Sequence, residues 1–205
     1  MSGTNGSGSP PRVLGIGGST RRGSSSLAAL AAALGLAAAA GAETALADVR
    51  ALGLPLYDED RALEEYPASL GWLLAEVRAA DAYLLATPTY LGTVAGGVKN
   101  ALDALSFLVG DDPPYFGGKP VGLLALGGAN AADALTALGH AARCLNGLVV
   151  PTAVVVPARA IDGGSGAIVD EAVRRRVGRM VGEVVDVGRR LRRRVGVGVA
   201  GAVGG

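Results

Sequence analysis

Five short runs of nearly uninterrupted apolar residues, each followed by a stretch of helical composition, constrain this chain more than any other feature. The runs cover residues 13–17, 43–49, 82–87, 120–126 and 148–156, with Pro88 expected to stop the third. Helices are expected over 27–40, 68–80, 97–108 and 131–145, and an Arg-rich helix closes the chain. In the second helix, Leu70, Leu73, Leu74 and Val77 recur at the three- and four-residue spacing of one helix face. Apolar strands alternating with helices predict an α/β protein in which a parallel sheet is covered on both faces.

Right-handed crossovers leave few topologies, and five strands in a chain of 205 residues point to a doubly wound sheet of order 2-1-3-4-5, the flavodoxin-like order. One domain is expected over 12–194, between a Gly/Ser/Pro tail at 1–11 and a Gly/Val tail at 195–205. The 33 glycines and only two phenylalanines require a core of small and β-branched side chains with closely packed backbones. Cys144 is the single cysteine and His140 the single histidine, which excludes an internal disulfide and every motif needing paired histidines. These counts suit a cytoplasmic protein. The apolar run at 27–42 is mostly alanine and reads as a buried helix, and no signal peptide is visible at the N-terminus.

Charge is concentrated at the end, where residues 170–194 carry nine arginines against four acidic residues. The arginines read as the solvated face of an amphipathic helix whose Val173, Val177, Val181, Val184, Val185 and Leu191 face the sheet. No aromatic residue interleaves with them, so nucleic acid is not the expected partner.

A sheet of this order opens a crevice where strand order reverses, at the carboxyl ends of its first and third strands. The first loop there combines Gly17 and Gly18, the hydroxyls of Ser19, Ser24, Ser25 and Ser26, and the charges of Arg21 and Arg22. Glycines admit a phosphate close to the backbone, hydroxyls and arginines bind it, and the next helix N-terminus adds free N–H groups. A serine-rich helix cap with surface arginines is the structural alternative. This loop has no Walker ending, and it fails G-x-G-x-x-G because Gly15 and Gly17 are followed by Thr20, so a terminal monophosphate such as that of FMN is the better match. The second loop, with Pro88, Thr89, Tyr90, Leu91, Gly92 and Thr93, suits a planar heterocycle held by main-chain groups. A third, around Gly127, Gly128 and Asn130, shares the rim, and Asn130 either caps a helix or meets the ring.

The run Gly-Ser-Thr-Arg-Arg-Gly-Ser-Ser from Gly18 resembles the Gly-Ser-x-Arg-x-x-Ser loop of the NADPH-dependent FMN reductase family. Thr87-Pro88-Thr89-Tyr90, followed by Val98-Lys99-Asn100-Ala101-Leu102-Asp103, is similar to that family's second signature. Pro55-Leu56-Tyr57-Asp58 and Gly118-Lys119-Pro120 also fall where the family has them. The resemblance implies a flavodoxin-like FMN protein, a homodimer or homotetramer, that takes hydride from NADPH or NADH. It implies that electrons pass to a small-molecule acceptor or a flavin-dependent monooxygenase. A quinone, azo or biosynthetic reductase would share these loops, and a flavodoxin-type carrier is the non-enzymatic alternative. By position, Ser19, Arg21, Ser24 and Ser26 would hold the phosphate, with Pro88, Thr89, Tyr90 and Leu91 flanking the ring and Gly127 and Gly128 near its other end. Lys99, Asn100 and Asp103 would brace the following helix and a subunit contact. Thr89 and Leu91 depart from the commoner Thr-Pro-Glu-Tyr-Asn form, which bears on the electron acceptor. Hydride transfer between stacked rings needs positioning more than acid–base groups, so no catalytic side chain is expected. His140 and Cys144, four apart on one helix, and Trp72 are expected in the core or an interface.

Overall fold

The computed structural model describes residues 9–200, with side chains through 192. Residues 1–8 of the first expected tail and 201–205 of the second lie outside these residues, whereas 195–200 belong to the last helix. In chain order the elements are β1 (Arg12–Gly17), α1 (Ser25–Ala39), β2 (Glu43–Asp48), α2 (Val49–Leu52), α3 (Ala68–Ala79), β3 (Ala82–Tyr90), β4 (Thr93–Val94), α4 (Gly96–Asp103), β5 (Pro120–Leu126), α5 (Ala131–Cys144), β6 (Leu148–Val156) and α6 (Glu171–Ala200). The sheet runs β2-β1-β3-β5-β6, with the two-residue β4 paired to β3 alone. Leaving out β4, this is the expected 2-1-3-4-5 order, and every pair in the main sheet is parallel.

The pleat sorts the core into two layers. Leu14, Ile16, Tyr83, Leu85, Val121 and Leu123 meet Leu70, Leu73, Leu102 and Leu138 from α3, α4 and α5. Val13, Leu84, Ala86, Leu124 and Leu126 meet Ala29, Leu30, Ala33, Val177, Met180 and Val184 from α1 and α6. Small side chains on α1 bring it close to the sheet, as the glycine and alanine content requires.

Arg174, Arg175, Arg176, Arg179 and Arg190 of α6 are exposed, as a solvated face requires, and three arginines also fasten the helix. Arg192 donates to the Asp81 carboxylate at 3.1 Å and to the Pro10 carbonyl at 2.7 Å, Arg176 donates to the Ala153 carbonyl at 3.2 Å, and Arg189 donates to the Ala40 carbonyl. The ladder between β5 and edge strand β6 shifts register between Val121 and Leu123. There Thr152 donates from its N–H and its hydroxyl to the Glu183 carboxylate, at 2.9 and 2.6 Å.

Three expectations need correction and a fourth is narrowed. Strand β3 does not stop at Pro88 but continues to Tyr90. The last β1 partner on that side is Gly17 against Ala86, so Pro88 stands past the end of β1 and needs no donor there. Helix α4 is α-helical only through Asp103 and tightens to a 3-10 turn over Ala104–Leu108. The loop after β2 contains the short α2, capped by Asp48, whose carboxylate accepts from the Arg50 N–H at 3.0 Å. His140 and Cys144 are exposed, with Sγ and Nε2 3.6 Å apart, and Trp72 is 41% exposed, so of the two expected places, core or interface, the core is excluded for all three.

Candidate functional site

The carboxyl ends of β1, β3 and β5 deliver three loops to one rim. Gly17 lets the first two approach: a Cβ there would lie 2.2 Å from the Ala86 carbonyl oxygen, so only glycine fits. The chain then turns through Gly18, at φ 101°, whose N–H donates to that same carbonyl at 3.3 Å.

Beyond Gly18 the loop buries three hydroxyls, with Ser19 5%, Ser24 8% and Ser26 2% exposed. Ser24 caps α1, its Oγ accepting from the Leu27 N–H at 3.2 Å, and it shares a 2.8 Å hydrogen bond with the Ser26 hydroxyl. The capping alternative is therefore realised at Ser24, without using up the cluster. Ser19 Oγ accepts from the Arg21 N–H at 3.2 Å, which curls the loop back on itself. Ser25 is half-buried, and the side chains of Arg21 and Arg22 are exposed beside the hydroxyls. No described hydrogen bond or ion pair engages either guanidinium.

The second loop is a tight hairpin. Tyr90 pairs with Thr93, and the two residues between them, Leu91 and Gly92, have φ of 51° and 76°. Positive φ at both central residues is the signature of a type I′ turn, which right-twisted strands prefer. Thr87 secures its base, its Oγ1 accepting from the Ala95 N–H at 3.0 Å and donating to the Pro88 carbonyl at 2.8 Å. Tyr90 bridges back to the first loop, its hydroxyl 3.1 Å from Ser19 Oγ.

Between this hairpin and the third loop lies a cavity of about 280 Å³ lined by Thr89, Leu91, Gly92, Gly128, Ala129 and Asn130. Thr89 Oγ1 is buried there without a hydrogen-bond partner, a costly state for a hydroxyl. Gly127 faces it: a Cβ at that position would stand 2.9 Å from Thr89 Oγ1. Asn130 occupies the N-cap position of α5, yet its side chain makes no capping bond and lines the cavity instead. Of the residues picked out from sequence, Ser19 is bonded to Tyr90 and Ser24 to Ser26. Thr89, Leu91 and Gly128 line the adjoining cavity, with Gly127 packed against Thr89. Pro88 lies in the strand behind, and Ser25 opens the helix.

These residues fit FMN. The buried hydroxyls, the helix N-terminus and two unengaged guanidiniums suit a terminal phosphate, and the uncharged cavity with its unpaired hydroxyl and glycine wall suits a flat polar-edged ring.

A second cavity, of about 340 Å³, opens between Thr20, Val49, Arg50, Leu52, Leu54, Gly97 and Asn100, and sequence reasoning missed it. Arg50 reaches across it to donate to the Thr20 carbonyl at 3.1 Å. Asn100 holds the neighbouring loop, donating to the Pro55 carbonyl and accepting from the Tyr57 N–H, each at 2.8 Å. Lys99 pairs with Asp103 at 2.6 Å. Only the cap at Asp48 signals this cavity in the sequence. Among the described residues, no cluster of three or more metal-ligating side chains exists, and no helix is long and apolar enough to cross a membrane.

Comparison with known proteins agrees with this geometry. Over 115 residues the chain is 44% identical to an NAD(P)H-dependent FMN reductase of Pseudomonas aeruginosa, covering 55% of this chain and 58% of that one. A quinone reductase of Escherichia coli is 46% identical over 69 residues, which are 33% of this chain and 35% of the relative. An FMN-dependent NADPH-azoreductase of Staphylococcus saprophyticus is 39% identical over 92 residues, or 44% and 46% of the two chains. The matched stretches thus span from about a third to just over half of these relatives' lengths. In fold, the chain superimposes on FerB, a flavoenzyme NAD(P)H:(acceptor) oxidoreductase of Paracoccus denitrificans, with a TM-score of 0.71 at 24% identity, covering 88% and 98% of the chains. The sequence profile of the NADPH-dependent FMN reductases matches residues 11–160, and the chain belongs to that family.

Proposed function

We propose that this protein is an NAD(P)H-dependent FMN reductase that passes electrons to a small acceptor or a partner monooxygenase. One observation carries the reading: a buried hydroxyl cluster beside free arginines is tied, through Ser19 and Tyr90, to a ring-sized cavity with an unsatisfied hydroxyl. When bound, FMN supplies the hydride-accepting chemistry, which no side chain here can supply.

The protein's own residues hold and orient. Ser19, Ser24, Ser25 and Ser26 offer hydroxyls to a phosphate, and Arg21 adds charge-assisted hydrogen bonds. Thr89 lines the ring cavity, while Tyr90 and Leu91 would flank the ring on the hairpin side. Gly127 and Gly128 leave room at the opposite wall. The cavity lining contains no ionisable side chain, so the work left to the protein is alignment of two rings, which alone is worth several kcal/mol.

The names of the relatives support a quinone or azo compound as an alternative final acceptor. A flavodoxin-type carrier is disfavoured by the net charge of +1, because such carriers dock through strongly acidic surfaces. A homodimer or homotetramer suits half-exposed Trp72 and the more exposed Leu56 and Val109, and light scattering reads the assembly directly.

The decisive experiment is FMN titration followed by anaerobic addition of NADPH or NADH. Flavin absorbance should shift on binding and bleach with reductant. Protein that neither binds FMN nor oxidises NAD(P)H in its presence overturns the proposal, and FMN binding without bleaching turns it into the carrier reading.

A further inference from the structure

The hairpin tip carries an anomaly that fold stability does not explain. Leu91 is held at φ 51°, a left-handed conformation that costs a branched side chain about 1–2 kcal/mol. Such strain persists when packing repays it, yet the Leu91 side chain is fully exposed and repays nothing within the chain. A type I′ turn with Gly92 at its second central position would accept asparagine or glycine at the first without strain. The same leucine lines the cavity that holds the unpaired Thr89 hydroxyl. Beside it, the ring of Tyr90 is half-exposed, with its hydroxyl fixed by Ser19. The tip is therefore an aromatic plane and an aliphatic side chain standing over a cavity whose lining is uncharged.

Resting on the FMN reading above, we infer that Leu91 is a specificity residue, the apolar contact that selects uncharged, planar aromatic oxidants of the quinone class over charged hydrophilic ones. In the reaction it favours, NAD(P)H loses a hydride to become NAD(P)⁺. The quinone gains two electrons and two protons to become the quinol, one proton coming from the hydride and one from solvent. Leu91 takes part in no bond change. It removes apolar surface of the oxidant from water, a contribution that a charged oxidant cannot use.

The test compares wild type, Leu91→Asn and Leu91→Met, each loaded with FMN and normalised to bound flavin. The readout is the ratio of kcat/KM for 1,4-naphthoquinone to that for ferricyanide. The ratio should fall about ten-fold in Leu91→Asn, through KM for the quinone, and return to within about two-fold of wild type in Leu91→Met. An unchanged ratio in flavin-loaded Leu91→Asn, or a ratio equally depressed in Leu91→Met, overturns the inference and leaves the flavin reading intact. A wild-type protein that takes up no FMN overturns both.

Discussion

The hydroxyl of Tyr90 and Oγ of Ser19 lie 3.1 Å apart, although 71 positions separate them in the chain. One sits on the loop after β1 and the other on the hairpin that extends β3, so this bond fixes the spacing between the proposed phosphate cradle and the proposed ring cavity. Ser19 keeps a second partner in the Arg21 N–H, so the loop does not depend on Tyr90 for its shape. Tyr90→Phe is therefore expected to lower stability by less than about 1 kcal/mol while weakening FMN binding about three- to ten-fold, as flavin fluorescence titration would show.

The hydroxyl cluster predicts a sharper discrimination. Ser26 is buried and Arg21 exposed, and in the proposed site both would serve only the phosphate end of a flavin nucleotide. Loss of one charge-assisted contact is worth about 1.5–3 kcal/mol, so Arg21→Ala should weaken FMN about ten- to a hundred-fold. Riboflavin has the same ring without the phosphate, and its affinity should not change. Equal losses for both ligands would move the phosphate elsewhere.

The parts of this site that were legible in the sequence are those whose chemistry is local. Ser19, Ser24 and Ser26 stand out because glycine, hydroxyl and arginine fall together after a strand, and strand order alone places that loop at the crevice. Strand order itself followed from the apolar runs, since a parallel sheet buried on both faces leaves few alternatives. What stayed hidden depended on tertiary placement. Pro88 continues a strand because its β1 neighbour has already ended, which no local pattern reveals. His140 and Cys144 have helical spacing compatible with either face, and only the packing of α5 put them outside. The cavity beside Arg50 forms from segments of three different elements and leaves no shared motif.

Close approach at Gly17 makes a stability prediction that is independent of any ligand. A methyl group there would stand 2.2 Å from the Ala86 carbonyl oxygen, a backbone atom that cannot rotate away. Strands β1 and β3 would have to part, so Gly17→Ala should cost about 2–3 kcal/mol in urea denaturation and disturb FMN binding as well.

The turn at Leu91 predicts the opposite sign. Asparagine relieves the left-handed strain and loses no buried contact, because the leucine is fully exposed. Leu91→Asn should gain about 1 kcal/mol, which for a domain of this size is about 2–4 °C in Tm by calorimetry. A more stable variant that has lost quinone preference would identify the strain as functional.

Acid sensitivity follows from two carboxylates far from the cavity. Asp111 is held below the ordinary carboxylate range chiefly by hydrogen bonds from Arg78, and Asp162 by the hydroxyl and N–H of Ser165. A carboxyl whose pKa is lower in the folded than in the unfolded chain stabilises the fold above its unfolded pKa. That stabilisation is lost as pH falls through the folded value. Both pairs are solvent-exposed, so each contribution is small, and that of the Arg78 pair should shrink with added salt. Tm measured from about pH 6 down to about pH 2 should therefore decline for the wild type, and the decline should be shallower in the Asp111→Asn, Asp162→Asn double variant. Parallel curves for the two proteins would show that other carboxylates set the acid limb.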